Sequence, residues 1–140
     1  VLTSASAAIE GVAAELGLRT VVTFLADRAY GDDGLLVPRK QLGAVIHERG
    51  AVLERVVRLL REGCVITASG ARLPTQARSI LVHGDTAGAV ELAQAVRAAI
   101  IGEGGQAVPL SRLDEPQNHK SVLSHQTETV LAGAIGPRIA

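Results

Sequence analysis

One short stretch, residues 80–86, constrains the fold of this chain more than any other. An apolar run with β-branched residues stops at His83, Gly84 and Asp85, and a helical pattern then begins at Ala87. This order is typical of a buried parallel strand that leads into a helix. Ligand-binding and catalytic groups collect at the carboxyl ends of such strands in α/β sheets and barrels. The stretch therefore predicts an α/β fold with polar side chains at one sheet edge.

The first 25 residues predict a β-α-β unit, from which parallel sheets are built. Residues 1–4 and 19–25 have the pattern of strands, and residues 6–16 have apolar side chains at helical spacing. Ser6 is expected to be the N-cap of this helix, and Gly17 suits the left-handed position at its end.

Two further helices are predicted, at residues 50–62 and 87–101, and a third, short one at residues 121–131. Short strands are predicted at residues 64–67, 72–75, 79–82 and 107–110. Each of the two longer helices has an apolar stripe that should face the core, with its arginines, Arg55 among them, off the stripe. The stripe residues are Val52, Val56, Leu59 and Leu60 in the first, and Val90, Ala93, Val96 and Ile100 in the second.

Composition excludes several classes of protein. The 140 residues carry 14 basic and 14 acidic side chains, one Phe, one Tyr and no Trp, so no basic or aromatic face for nucleic acid is expected. No stretch approaches the ~20 apolar residues of a membrane span, and no secretory signal is present. With a single cysteine, Cys64, no internal disulfide can form, which favours a cytoplasmic location. Cys64 itself is expected to be a small buried residue. The absence of a starting Met suggests a fragment or a processed product.

A second polar group follows the strand at residues 19–25. Asp27 and Arg28 come directly after it, and a long connection, residues 27–46, contains Tyr30 and Arg39. Asp27 and Arg28 are either an ion pair that closes the strand end or part of a site. Arg28 and Arg39 offer planar donors that suit a carboxylate or phosphate, and Tyr30 could shield the site or donate its hydroxyl.

At the other strand end, alternatives remain open. Asp85 is either the N-cap of the following helix or a functional acid, and His83 is either a hydrogen-bonded structural residue or a catalytic one. The remaining histidines have no metal-ligand spacing, and the sequence contains no zinc motif, P-loop, GxSxG or GxGxxG pattern. The residues by themselves indicate an α/β domain with a possible anion or polar-ligand site.

Four segments in a fixed order resemble the LamB/YcsF family, the A subunits of the bacterial ATP-dependent 5-oxoprolinase. They are Ala-Asp-Arg-Ala-Tyr at residues 26–30, Gly-Leu-Leu-Val-Pro-Arg at 34–39, Gly-Ala-Val-Ile at 43–46 and Val-His-Gly-Asp-Thr at 82–86. The resemblance extends over residues 1–107. It implies that residues 1–110 are the carboxyl-terminal half of a distorted (β/α) barrel, related to polysaccharide deacetylases, and that residues 111–140 are a linker and tail.

The family's activity is the opening of 5-oxo-L-proline to L-glutamate, driven by ATP and carried out with partner B and C subunits. The resemblance places Asp27, Arg28, Arg39, His83 and Asp85 around the barrel mouth. It makes Asp85, His83 and Asp27 candidates for proton transfer or for orienting a water, and Arg28, Arg39 and Tyr30 candidates for substrate binding. It leaves the metal requirement open.

Two departures from the family pattern affect these expectations. Thr23 stands in place of a family glutamate and Leu25 in place of an aromatic residue, and the motifs of the family's amino-terminal half are absent from this sequence. A half-barrel would expose sheet edges and apolar faces, so self-association or pairing with the other half is expected. A non-catalytic binding or scaffold protein is the alternative function, and a carbohydrate-active hydrolase is a third that rests on fold analogy.

Overall fold

The computed structural model describes residues 6–85 and 87–113 in full, and the backbone of residues 2–4 and 135–136. Its helices and strands alternate for most of this length. In chain order they are β1 (Leu2–Ser4), α1 (Ala7–Glu15), β2 (Thr20–Leu25), α2 (Arg49–Glu62), β3 (Cys64–Ile66), β4 (Arg72–Pro74), β5 (Ser79–Leu81), α3 (Ala89–Gly102), β6 (Gln106–Ala107) and β7 (Ile135–Gly136). A 3₁₀ turn at Leu110–Arg112 follows β6. The helix predicted at residues 121–131 lies outside the described residues.

A parallel sheet of three strands, in the order β1-β2-β5, forms the framework of the site. The β-α-β unit predicted for the first 25 residues is confirmed, and α1 is its crossover helix. The register pairs Thr23 with Ser79 and Leu25 with Leu81. Strands β3 and β4 form an antiparallel pair, as do β6 and β7. The fold class is therefore mixed α/β with parallel strands.

An aliphatic core holds α2 and α3 against this framework. Val52, Val56 and Leu59 of α2 are completely buried, which confirms the inward stripe predicted for this helix. Phe24 of β2 and Ile80 of β5 belong to the same cluster of buried side chains. The predicted end of α2 is also confirmed, since Gly63 has φ of 61° in the left-handed region, which glycine enters without steric cost. The cysteine expected to be buried, Cys64, is 3% exposed.

Helix α3 departs from the sequence prediction at its start and in its stripe. It begins at Ala89 rather than Ala87, after Gly88, whose φ of 80° only glycine adopts easily. Val96 and Ile100 are buried as predicted, but Val90 is 67% exposed. Ala93 is exposed as well, while Leu92 and Ala99 pack against the core in their place. Because the helix starts later, with Gly88 as its N-cap, the alternative that Asp85 caps it is excluded.

Two other predictions are corrected. The sequence predicts a buried strand at residues 79–82: Ser79 and Ile80 are buried as predicted, but Leu81 is 38% exposed. The strand predicted at residues 107–110 is shorter and earlier, because the chain turns into the 3₁₀ segment after Pro109. Among the helices that the structure describes, none is long and apolar enough to cross a membrane.

Candidate functional site

The register of β2 and β5 brings Asp27 and His83 together. Leu25 pairs with Leu81, and side chains alternate across a strand, so the residues two positions further on lie side by side on the same face. His83 Nδ1 lies 2.7 Å from Asp27 Oδ2 and 2.9 Å from Oδ1. A carboxylate accepts hydrogen bonds, so this contact assigns the proton to Nδ1 and leaves Nε2 as the basic nitrogen of the neutral ring.

The Arg39 side chain completes this group from the long loop. Its Nη2 lies 3.1 Å from His83 Nε2, so the guanidinium donates to the basic nitrogen when the ring is neutral. The carboxylate, the imidazole and the guanidinium therefore form a continuous row of hydrogen-bonded groups, although Asp27 and His83 are 56 residues apart in the sequence. A ligand that approached His83 Nε2 would meet Arg39 at the same place, and a carboxylate or phosphate would suit the guanidinium.

The group is sheltered on one side and open on the other. The Asp27 side chain is 10% exposed and that of His83 is 24% exposed, while Arg39 is an exposed residue. At Gly84, a Cβ atom would meet nothing within 4 Å, so space is open beside the strand end. The carboxylate is thus sheltered by the protein, and the imidazole and guanidinium are more accessible to solvent.

Arg28 holds the loop that carries Arg39. It is 6% exposed, its Nε donates to Ala44 O at 3.2 Å and its Nη2 donates to Val37 O at 2.8 Å. The backbone of the loop is fixed in the same way, for example by Ile46 N, which donates to Asp27 O. The predicted role of Arg28 in anion binding stays a prediction, and a ligand would have to compete with these carbonyls for its donors.

Tyr30 is buried against Phe24, with the ring centroids 5.8 Å apart. Its hydroxyl accepts a hydrogen bond of 2.9 Å from Leu25 N. The pairing of β1 with β2 ends at Val22, so Leu25 N lies beyond it. Burial raises the pKa of the Tyr30 hydroxyl, although the bond from Leu25 opposes this change. The proton of the hydroxyl remains free to be donated, so a contact with a ligand stays a prediction.

The structure separates Asp85 from the acid–histidine pair. Asp85 is exposed, and among the described side chains it makes no hydrogen bond to Asp27 or His83. Its predicted role in proton transfer is not tested by this geometry. Within residues 6–85 and 87–113, no three His, Cys, Asp or Glu side chains come together as a group that could hold a metal ion.

Sequence reasoning missed Arg55. Its place off the apolar stripe predicts a side chain that points away from the core, yet its Nε donates to Ala26 O at 3.2 Å and its Nη2 donates to Arg28 O at 2.7 Å. The helical pattern gives the direction of the Cβ atom, whereas a long side chain can carry its charged end elsewhere. The two carbonyls it binds need a donor because they have no strand partner, but this need is visible only in the structure.

A second missed contact ties the loop to the β3–β4 hairpin. The Asp32 carboxylate accepts hydrogen bonds from the hydroxyls of Thr67 and Ser69, the latter at 2.7 Å. These bonds, that from Thr67 first, lower the pKa of Asp32. Asp32 thus anchors the loop that carries Arg39.

Fold and site together define a class: an α/β protein whose parallel strands end in an acid–histidine–arginine group. The model of the LamB/YcsF family matches residues 1–115 of the chain. The chain therefore belongs to the LamB/YcsF family, as its four motifs suggested.

Curated relatives support the same assignment. The chain is 60% identical over 110 residues to the second 5-oxoprolinase A subunit of Ralstonia nicotianae, and the match covers 79% of this chain and 42% of that protein. It is 51% identical over 110 residues to the first 5-oxoprolinase A subunit of Pseudomonas syringae pv. tomato, with coverage of 79% and 43%. The chain thus spans about two fifths of the length of these relatives.

A solved structure has the same arrangement of elements. The crystal structure of a lactam utilization protein from Thermus thermophilus superimposes with a TM-score of 0.67 and 31% sequence identity, over 74% of this chain and 41% of that one. At this identity the likeness covers both fold and sequence.

Proposed function

We propose that this chain is part of the A subunit of an ATP-dependent 5-oxoprolinase, which opens 5-oxo-L-proline to L-glutamate. The observation that carries the proposal is the Asp27–His83–Arg39 group at the ends of two adjacent parallel strands, in a chain 60% identical to a 5-oxoprolinase A subunit. The substrate is a lactam with a free carboxylate. A guanidinium beside an imidazole suits a molecule with one anionic group and one amide to be cleaved.

Each residue of the group has a distinct task in this proposal. Asp27 holds the proton on His83 Nδ1 and fixes the ring. His83 Nε2 then takes a proton from an attacking water or orients that water. Arg39 binds the substrate carboxylate, which would draw its guanidinium away from Nε2 and free that nitrogen for the reaction. Asp85, exposed and two residues beyond His83, is a further candidate for proton transfer.

We propose ATP as a substrate of the whole assembly, where it supplies the driving force for hydrolysis of a stable lactam. The sequence has no glycine-rich phosphate loop, and Arg39 is a single guanidinium rather than a phosphate cradle. These residues do not make a complete nucleotide site. We therefore place no step of the reaction on ATP bound to this segment, and we propose the B and C subunits as partners that complete the enzyme.

The proposed architecture is a distorted (β/α) barrel of the polysaccharide-deacetylase type, of which residues 1–110 form the carboxyl-terminal half. The three parallel strands and the helix α1 that crosses between two of them support it. Exposed apolar side chains on α1, such as Ile9 at 52% and Val12 at 57%, support pairing of this segment with further structure or with a second copy. A cytoplasmic location is proposed as well, on the single cysteine, which is free and buried.

Thr23 matters for the alternative function, a non-catalytic binding or scaffold protein that retains the fold. The Asp27–His83 contact is present with a threonine in place of the family glutamate. The Thr23 hydroxyl lies 2.6 Å from that of Ser79, and both residues are buried between the strands. The activity assay below distinguishes the enzyme from the scaffold.

The test is a turnover assay with the full-length A subunit that contains this segment, in complex with its B and C subunits. We expect glutamate to form from 5-oxo-L-proline only when ATP is hydrolysed. Replacing Arg39 by Met should raise the KM for 5-oxo-L-proline, and Arg72→Met, an exposed arginine paired with Glu62, is the matched control. An assembly that binds 5-oxo-L-proline in calorimetry but never forms glutamate would favour the scaffold.

A further inference from the structure

Arg55 reaches from α2 to the backbone on both sides of Asp27. Its Nε donates to Ala26 O at 3.2 Å and its Nη2 donates to Arg28 O at 2.7 Å. The carbonyl groups of the residues immediately before and after Asp27 are therefore tied to one rigid guanidinium. Because the donors of a guanidinium have a fixed planar geometry, the two bonds restrict the backbone dihedral angles that set the direction of the Asp27 side chain.

The guanidinium is itself held in place. It lies over the Phe24 ring, with its central carbon 5.4 Å from the ring centroid, and Phe24 stacks on Tyr30. The Tyr30 hydroxyl accepts from Leu25 N, so the same cluster also fixes the backbone two residues before Asp27. Burial lowers the pKa of Arg55, whereas the charges of Tyr30 and Asp27 act in the opposite direction. An arginine in this place keeps a cation in a partly buried position because several neighbours stabilise it.

We propose that Arg55 is a positioning residue of the site: it fixes the strand end so that the Asp27 carboxylate meets His83 Nδ1, and it touches neither the substrate nor the imidazole. Its effect on turnover rests on the proposed function. The positioning itself is a property of this chain and can be measured without any activity.

The first test measures the tautomer of His83 by nitrogen-15 NMR, with the His83 signals assigned through His83→Gln. In the wild-type chain we expect the proton on Nδ1, the nitrogen that bonds to Asp27. Arg55→Met removes both donors, so the population with the proton on Nε2 should rise. Arg55→Lys keeps the charge but offers a compact ammonium to one carbonyl, and it should give an intermediate population.

Arg58 provides the matched control on the same helix. It pairs with Glu54 at 2.8 Å on the surface and makes no contact with the strand end among the described hydrogen bonds. Arg58→Met and Arg58→Lys should leave the His83 signals as in the wild type. A wild-type tautomer in folded Arg55→Met, or an equal change on replacing Arg58, would overturn the proposal. If Arg55→Met does not fold, the His83 tautomer is measured in Arg55→Lys instead. His83 signals identical to those of the wild type in that variant overturn the proposal.

The second test measures turnover in the complete assembly. Arg55→Met should lower kcat by about tenfold to a hundredfold, the usual effect of a small misplacement of a reacting group, and should leave the KM for 5-oxo-L-proline nearly unchanged. Rescue of part of kcat by Arg55→Lys is expected. If the tautomer changes but the wild-type assembly never turns over 5-oxo-L-proline, the proposed function fails and the positioning role stands. If the wild type is active and Arg55→Met keeps both kcat and the tautomer, the positioning role fails.

Discussion

The buried hydroxyl pair of Thr23 and Ser79 allows a direct test of the register that builds the site. Their oxygens lie 2.6 Å apart, and the two residues are 6% and 0% exposed. Thr23→Val keeps the shape of the side chain but leaves the Ser79 hydroxyl buried without this partner. A buried polar group that loses its hydrogen bond costs about 1–3 kcal/mol, so we expect that loss in the free energy of unfolding.

The matching change at Ser79 should be milder. In Ser79→Ala, the Thr23 hydroxyl can still donate to Val21 O, which lies 3.4 Å away, so we expect a loss of about 1 kcal/mol. The double variant removes both partners together and should cost about 1 kcal/mol less than the sum of the single variants. The losses should appear in urea unfolding followed by circular dichroism, and as about 4 °C in Tm for each kcal/mol.

Thr20→Val is the control, since Thr20 is a half-buried residue at the start of the same strand. It should change the free energy of unfolding by less than either Thr23→Val or Ser79→Ala, because Thr20 is not part of the buried hydroxyl pair. Strictly additive losses for Thr23 and Ser79 would refute the reasoning. The two hydroxyls would then not be partners, the register of β2 against β5 would differ, and Asp27 would not lie beside His83.

Two further predictions concern α2, the helix that carries Arg55. Leu59 is completely buried, so Leu59→Ala should lower the free energy of unfolding by about 2–5 kcal/mol. Leu60 is half-buried, so Leu60→Ala should lower it by less in the same thermal or urea assay. Glu48 caps the helix by accepting from Gly50 N and Ala51 N, which lower its pKa below the ordinary 4.5. The folded chain thus binds this proton more weakly than the unfolded chain, so stability should fall as pH falls below about 4.5 and through the lower folded pKa. Glu48→Gln should flatten this part of the pH profile, and an unchanged profile would contradict the cap.

Much of the fold followed from the sequence because local signals and tertiary packing agree there. Gly17 and Gly63 end helices where their left-handed conformation is needed. The apolar stripe of α2 lies against the core as its spacing predicted. Asp27 and His83 were each expected at a strand end, and their contact depends on β2 and β5 being neighbours, which the sequence did not predict.

The rest depended on contacts that no local pattern encodes. Arg55 has a Cβ position beside the core stripe, and its guanidinium goes to the strand end because two carbonyls there need a donor. Arg28 is buried for a similar reason, as the long loop folds around it. Asp85 has the pattern of a helix cap, but α3 begins only after Gly88. In each case the tertiary structure set contacts that the local sequence pattern does not determine.

The Asp27–His83–Arg39 group is proposed to be what this chain contributes to the reaction of a 5-oxoprolinase. The most direct measurement is the rate of glutamate formation from 5-oxo-L-proline by the complete assembly that carries His83→Gln, beside a control with His47→Gln, an exposed histidine just before α2. We expect kcat to fall about 10²–10⁴-fold for His83→Gln, the usual contribution of a positioned acid or base, with no change for the control. Equal rates for the two variants would contradict the proposed catalytic role of His83.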